Sequence, residues 1–387
     1  MRELLLDGRP DAVRHLTEAL ADALAGGPAV LPLDRHNPAL PTLRTAMAVD
    51  EPVEPDTAVI VTTSGSTGAA KGVLLSSAAL HASATATHDR IGGPGHWLLA
   101  TPAQFIGGVQ VLVRSLIAGT TPGVVDLSVP FRSDPFADAA APVLTATGPR
   151  YTAMVPTQLT QLLAEGGRGL AALRSFDRVI IGAAATPPEL AERAQEAGVR
   201  IVAAYGMSET ASGCVYDGVP LDIVTVRLAD YGRIELAGPM LANGYRGDPA
   251  ATAAAFHDGW FSTGDTGRWH DGRLDGRLDV TGRADDLINT GGVKVAPALV
   301  ERVLAAQPGV RAACVVGLPD PHWGQAVVAA IVPTDPANPP ATDILAAVIR
   351  AEIGRHAVPK RFDFTGELPL CGPGKVDRSA VRASFTG

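Results

Sequence analysis

The chain has 387 residues, 46% hydrophobic and 19% charged, and its 40 acidic against 32 basic side chains leave a formal net charge of -8. That size and apolar content predict a large core and more than one domain. The acidic balance, with no stripe of Lys and Arg, argues against bulk nucleic-acid binding, and apolar runs such as 326–332 are too short for membrane insertion. No charged leader with an apolar stretch opens the chain, so the expected location is the cytoplasm. Cys214, Cys314 and Cys371 are odd in number and widely spaced, which predicts buried free thiols in place of disulfides or a zinc cluster.

In chain order, residues 11–25 carry helical periodicity and stop at Gly26-Gly27, a helix with a glycine cap. The stretch 59–73, VIVTTSGSTGAAKGV, is a β-branched run that breaks into glycines and hydroxyls and ends in a lysine. Gly65 and Gly68 let the backbone approach an anion, Thr63, Ser64, Ser66 and Thr67 offer hydroxyls, and Lys71 adds charge. A nucleoside triphosphate is the expected ligand. The spacing is not that of the common P-loop, because Ala70 precedes Lys71 and Gly72 follows it.

Ser76-Ser77 predicts a cap for a helix running to about His88. Apolar stretches at 97–101, 152–156, 178–181 and 199–203 then alternate with helical patterns such as 156–165 and 188–197, the rhythm of an α/β domain with parallel strands. From Tyr231 the texture becomes short strands with Gly and Asp turns, as in GRIELAG and HDGRLDGRLDVTGR, which predicts antiparallel sheet closing that domain. Past Gly282-Arg283 a second small core begins, with a hairpin, a helix opened by Pro297, strands near 312–316 and 326–332, and a helix over about 342–353. The expected division is therefore 1–283 and 284–387.

Five motifs stand in fixed order: TSGSTGAAKG at 63–72, YGMSET at 205–210, STGD at 262–265, GRADDLINTGG at 282–292 and GPGKVDR at 372–378. Together they resemble the adenylate-forming superfamily of acyl-CoA synthetases, peptide-synthetase adenylation domains and luciferases. Within it, YGMSET running into GCVYDGVPLDIVTVRL, VPTQL at 155–159 and GGVQVLVRSLIAGT at 107–120 resemble the short actinobacterial type of o-succinylbenzoate:CoA ligase, a family of menaquinone biosynthesis.

The resemblance implies a large α/β domain carrying a small antiparallel sheet or barrel, a small mobile α+β C-terminal domain, and ATP, Mg²⁺ and CoA as cofactor and co-substrates. It assigns the 64–72 loop, chiefly Thr67 and Lys71, to the β and γ phosphates and Glu209 to the magnesium ion. Thr210 is assigned to the α-phosphate, and Tyr205 with Gly206 and the Gly182-Ala183-Ala184 turn to adenine. Asp265 and Arg283 fall on the ribose, and Asp285 matches the hinge. Lys375, in its glycine-proline loop, matches the lysine that reaches the carboxylate and α-phosphate, where a flexible point charge suits a pentavalent centre.

Two departures accompany these assignments. A histidine usual before the Gly107-Gly108 pair is replaced here by Phe105. The stretch ahead of the phosphate loop is short, so a trimmed N-terminal subdomain is expected, with surface available to a homodimer. A dianionic acid needs a cation or polar donors at its far end, and Ser212, Arg114 and Arg150, with Gly107 and Gly108 along the pocket, are the candidates. Two other functions stay open: adenylation of another aryl or acyl acid for CoA or a carrier protein, and a regulatory nucleotide-binding module. Binding alone needs neither Lys375 nor Glu209, which weighs against the module. His81 and His88, lacking metal-ligand spacing, are expected to be structural.

Overall fold

The computed structural model describes residues 1–64, 70–270, 276–284, 286–372 and 375–385, with backbone only at Ser64, Tyr231, Cys371, Gly372 and Lys375. Gly65, Ser66, Thr67, Gly68 and Asp285 lie outside the described residues. By internal contacts the chain divides into a first unit of Met1–Thr186, Leu190–Arg227 and Glu235–Ser262 and a second of Pro187–Glu189, Leu228–Ile234 and Thr263–Gly387. The large α/β and smaller α+β parts expected from the sequence are both present.

Two sheets build the first unit. One runs Arg2–Leu6, Val30–Asp34, Val59–Ser64, Ala70–Leu75 and Gly244–Tyr245, its first three strands parallel and the last two antiparallel. The other has seven strands in the order Val219–Pro220, Ser212–Tyr216, Ile201–Met207, Arg178–Ile181, Arg150–Met154, His96–Leu99 and Gly123–Val124. Its last five are parallel, as the alternation of apolar runs and helices predicts. Leu98, Phe136, Leu159, Leu173, Phe176 and Ile181 fill the core between these strands and the helices on that face.

Local chemistry sets the element ends. The helix Ser77–Ile91 begins where Ser76 Oγ accepts the Ala79 N–H at 3.0 Å, satisfying a donor the first turn leaves free. The helix Pro10–Leu24 opens on a proline, which needs no amide partner there, and Gly26 follows it at φ +95°. Helix Pro156–Glu165 matches its predicted span. The opening strands Arg2–Leu6 and Val30–Asp34 carry no alternation by which to foresee them.

In the second unit, Ile288–Thr290, Val293–Val295, Val310–Asp320 and Gly324–Pro333 form an antiparallel sheet that Arg361–Phe364 joins in parallel. Helices Pro297–Ala305 and Thr342–Glu352 bury Val300, Leu304, Leu345 and Ile349 against it. The strands Leu370–Gly372 and Lys375–Val376 pair antiparallel just ahead of helix Arg378–Ser384.

Candidate active site

The strand Val59–Ser64 turns back on Ala70–Leu75 in register from Val59 opposite Leu75 to Ser64 opposite Ala70, so Thr63 faces Lys71 across the hairpin mouth. The buried β-branched run fixes this register, since a one-residue slip would turn its apolar face outward. Lys71 Nζ stands 4.7 Å above the centre of the Tyr245 ring.

The second component is a turn. After strand Ile201–Met207 the chain makes a 3₁₀ turn, Ser208–Thr210, and leaves through Ala211 and Ser212 at φ +48° and +94°. Left-handed conformations at two successive non-glycine residues cost of order 1 kcal/mol or more each and cluster at functional segments. Thr210 is fully buried, with its Oγ1 accepting the Met207 N–H at 2.9 Å and donating to the Ser212 carbonyl at 2.7 Å. Its hydroxyl therefore holds the turn. Glu209 points one carboxylate oxygen at Tyr245, whose hydroxyl donates to Oε1 at 2.9 Å. Burial first, and then this carboxylate, push the Tyr245 phenol above its ordinary range.

Gly206 sits opposite Gly213, and a side chain there would run into the Ser212 carbonyl, so only glycine allows the approach. Tyr205 is half-buried on the same strand. Next to it in the sheet, Arg178–Ile181 ends in Gly182, whose N–H donates to the Met154 carbonyl at 3.1 Å, and Ala183 follows at φ +67°. The Gly182-Ala183-Ala184 turn, Tyr205 to Met207 and the Glu209 turn thus share the carboxyl end of one parallel sheet, where α/β folds bind ligands.

Arg114, on helix Ile106–Ile117, is fully buried. Nη2 donates to Thr87 Oγ1 at 3.2 Å and Tyr216 OH at 3.5 Å, and the guanidinium lies 5.1 Å from the Trp97 ring. Its Nε has no partner and no carboxylate pairs with it among the described residues. Burial lowers its pKa, opposed by Tyr216. On the neighbouring helix, burial and then Arg114 hold His88 down to about 4, so it is neutral and accepts the Trp97 indole N–H at 3.3 Å. His88 packs in the core, whereas His81 on the same helix is exposed, so the two do not form one polar face.

Arg150 is not brought to these residues. It stands at the opening end of its parallel strand, paired with Asp177 at 3.2 Å, whereas Gly182 and Met207 stand at the closing ends. Gly108 lets the start of its helix close on the Pro102 carbonyl, Gly107 faces open space, and Phe105 is exposed. Cys214 and Cys314 are buried free thiols, each pushed up to about 12 by burial. No group of three metal-ligating side chains occurs among the described residues, and no described helix is long and apolar enough to cross a membrane.

In the second unit, Asp265 and Arg283 are paired across adjacent strands, Nη1 to Oδ1 at 3.7 Å. Arg378 donates through Nη1 and Nη2 to Glu301 at 2.6 and 2.8 Å, with Nε 3.4 Å from Asp286. It ties the turn after Lys375–Val376 to helix Pro297–Ala305.

Residues 9–244 match the family model of AMP-binding enzymes, and 299–375 match the C-terminal domain of AMP-binding enzymes. The chain is 44% identical to a probable 2-succinylbenzoate–CoA ligase of Mycobacterium tuberculosis over 89% of both chains. It is 35% identical to a sulfoacetate–CoA ligase of Cupriavidus necator, over 95% of this chain and 76% of that one. Among solved structures it resembles the o-succinylbenzoate CoA synthetase of Bacillus subtilis in complex with its acyl-adenylate intermediate. There the TM-score is 0.74 and the identity 25%, covering 95% of this chain and 80% of that one. The ordered motifs, the two matched regions and this likeness agree: the chain belongs to the AMP-binding, adenylate-forming family of enzymes.

Proposed function

We propose that the chain is an AMP-forming 2-succinylbenzoate–CoA ligase of menaquinone biosynthesis, acting in the cytoplasm. The observation that carries the substrate is the 44% identity spanning 89% of both chains with the mycobacterial ligase. The acid carboxylate attacks the α-phosphate of ATP, pyrophosphate leaves, and CoA thiol then displaces AMP from the acyl-adenylate.

The roles follow the family resemblance. Lys71 and the hairpin mouth take the β and γ phosphates, Asp265 and Arg283 the ribose, and Tyr205, Gly206 and the 182–184 turn the adenine. Thr210 serves by holding the Glu209 turn; to reach an α-phosphate its hydroxyl would have to leave the Ser212 carbonyl. Glu209 fits a magnesium ion delivered by ATP. One oxygen is fixed by Tyr245, the other has no protein partner among the described residues, and Mg²⁺ takes one carboxylate with waters and phosphate oxygens in preference to a protein cage. When bound, the ion neutralises charge on the leaving pyrophosphate.

Lys375 completes adenylation, and rotation of the small domain about Asp285 then brings the Gly291-Gly292 hairpin turn in its place for thioester formation. For the succinyl carboxylate Arg114 is the candidate, with Ser212, Gly107 and Gly108 along the pocket, because its charge has no counter-ion among the described residues. A homodimer belongs to the same reading and is checked by sedimentation.

The test is acid-dependent ATP–pyrophosphate exchange followed by CoA thioester assay. Succinylbenzoate is expected to support both far better than benzoate or a fatty acid. Equal turnover of benzoate, or acylation of a carrier protein only, would sink the substrate assignment. In the same assays Lys375→Ala should lose on the order of 10²-fold in adenylation yet still convert supplied acyl-adenylate to thioester.

A further inference from the structure

Lys71 and Glu209 meet the same side chain at different points: the lysine Nζ sits 4.7 Å over the Tyr245 ring, and the Tyr245 hydroxyl donates to the Glu209 carboxylate at 2.9 Å. An ion pair between the two would neutralise the charges that phosphate and metal binding each require. No Lys71–Glu209 ion pair forms. A phenol separates them, offering a π face to the cation and a hydroxyl to the anion.

Resting on the reading above, in which Lys71 binds triphosphate and Glu209 binds magnesium, we propose that Tyr245 is the positioning residue for both. Its hydroxyl turns Glu209 toward the metal, and its ring seats Lys71 toward the phosphates.

The frame around Tyr245 suits that task. Its backbone pairs with Val73, two residues from Lys71, and its N–H donates to Thr252 Oγ1 at 2.9 Å. The Ala242 N–H donates to the Glu209 carbonyl at 2.9 Å and the Asn243 N–H to the Leu74 carbonyl at 2.8 Å. One short segment therefore bridges the Glu209 turn and the Lys71 strand. On its far side, Arg246 is buried, and its guanidinium donates to the carbonyls of Met47, Ala48, Glu51 and Pro52 and to Glu54. Preceding it, Gly244 adopts φ +139°, and a side chain there would strike Thr252. Tyr245 cannot drift, so the two charges it touches hold their separation before any ligand arrives. This is preorganisation: reorientation is complete before the triphosphate binds.

The experiment measures binding, not turnover. Mn²⁺ affinity in the presence of ATP is read by electron paramagnetic resonance, and metal-free ATP affinity is read by calorimetry in EDTA. Tyr245→Phe keeps the ring and removes the hydroxyl, so Mn²⁺ with ATP should bind about tenfold more weakly while metal-free ATP is unchanged. Tyr245→Leu removes both, so metal-free ATP should also weaken about threefold, the scale of one partly exposed cation–π contact. Should the leucine variant fail to fold, Tyr245→Met carries that arm.

Phe256→Leu removes the ring packed edge-on against Tyr245 at 5.8 Å and touches neither charge, so it should leave both affinities near wild type. Equal losses from Phe256→Leu and Tyr245→Phe would reduce Tyr245 to packing and overturn the proposal. Glu209→Gln and Lys71→Ala separate the two levels of inference. If Glu209→Gln leaves Mn²⁺ binding intact, the metal assignment itself fails. If Glu209→Gln weakens it and Tyr245→Phe does not, only the positioning role fails.

Discussion

Two arginines, one in each unit, are treated in opposite ways. Arg378 is surrounded by carboxylates, with Glu301 held through two nitrogens and Asp286 alongside, and hydrogen bonding to Glu301 lifts its pKa above the usual value although burial opposes this. Arg114 is fully buried and, among the described residues, meets only hydroxyls and an indole. A buried ion pair with satisfied hydrogen bonds ties elements together, whereas a buried cation without a counter-ion weakens the fold. Arg378 is thus explained by the protein alone; Arg114 is not, and the proposed function offers the succinyl carboxylate as its partner.

The contrast is broken most directly at Arg378. Arg378→Ala leaves the partly buried Glu301 and Asp286 without their cation and should cost about 1–3 kcal/mol of stability. Denaturant unfolding measures it, and a loss below about 1 kcal/mol would show that the ion pairs tie nothing together.

Arg114→Met should act with the opposite sign on stability. Thr87 and Tyr216 keep their mutual hydrogen bond at 3.0 Å, so the variant removes an uncompensated charge at little cost in packing and should be neutral or up to about 1 kcal/mol more stable. At the same time kcat/KM for succinylbenzoate should fall at least about tenfold relative to benzoate, the scale of one charge-assisted contact. A destabilised variant with unchanged selectivity would make Arg114 a structural residue like Arg378.

A further difference lies in pH dependence. His88 titrates near 4 in the folded chain against 6.5 for the free side chain. Between those values the unfolded state binds a proton that the folded state refuses, so stability falls as pH drops from 6.5 toward 4 and is unaffected by this group above 6.5. His88→Gln should flatten the slope, and Arg114→Met should narrow the window from its acid side by raising the folded pKa. Unfolding curves across that range decide it; an unchanged slope in His88→Gln would place the titration elsewhere.

Much of the fold was legible because its signals are local. Pro297, Ser76 and Gly26 mark element ends through backbone geometry that no distant contact alters, and the apolar rhythm of 97–203 foretells the parallel sheet. Five motifs in order made the nucleotide chemistry readable, since phosphate and metal binding restrict residue type at fixed spacing. Arg114, Arg150 and Ser212 stood level in the sequence, because charge and polarity say nothing about position. The structure separates them: Arg114 is buried on a helix, Arg150 stands at the opening end of its strand, and Ser212 follows the Glu209 turn.

What the sequence by itself determined is the family, the order of the elements and the residue types able to meet ATP, all of which follow from neighbours along the chain. The tertiary structure alone decided the rest. Tyr245 lies on a two-residue strand, 36 residues from Glu209 in the chain, with only the GY of ANGYRG to mark it. That it parts Lys71 from Glu209, and that Arg114 is enclosed without a carboxylate while Arg378 is given two, depends on which strands and helices pack together. Charge separation and desolvation are properties of three-dimensional distance, and no spacing along the chain encodes them.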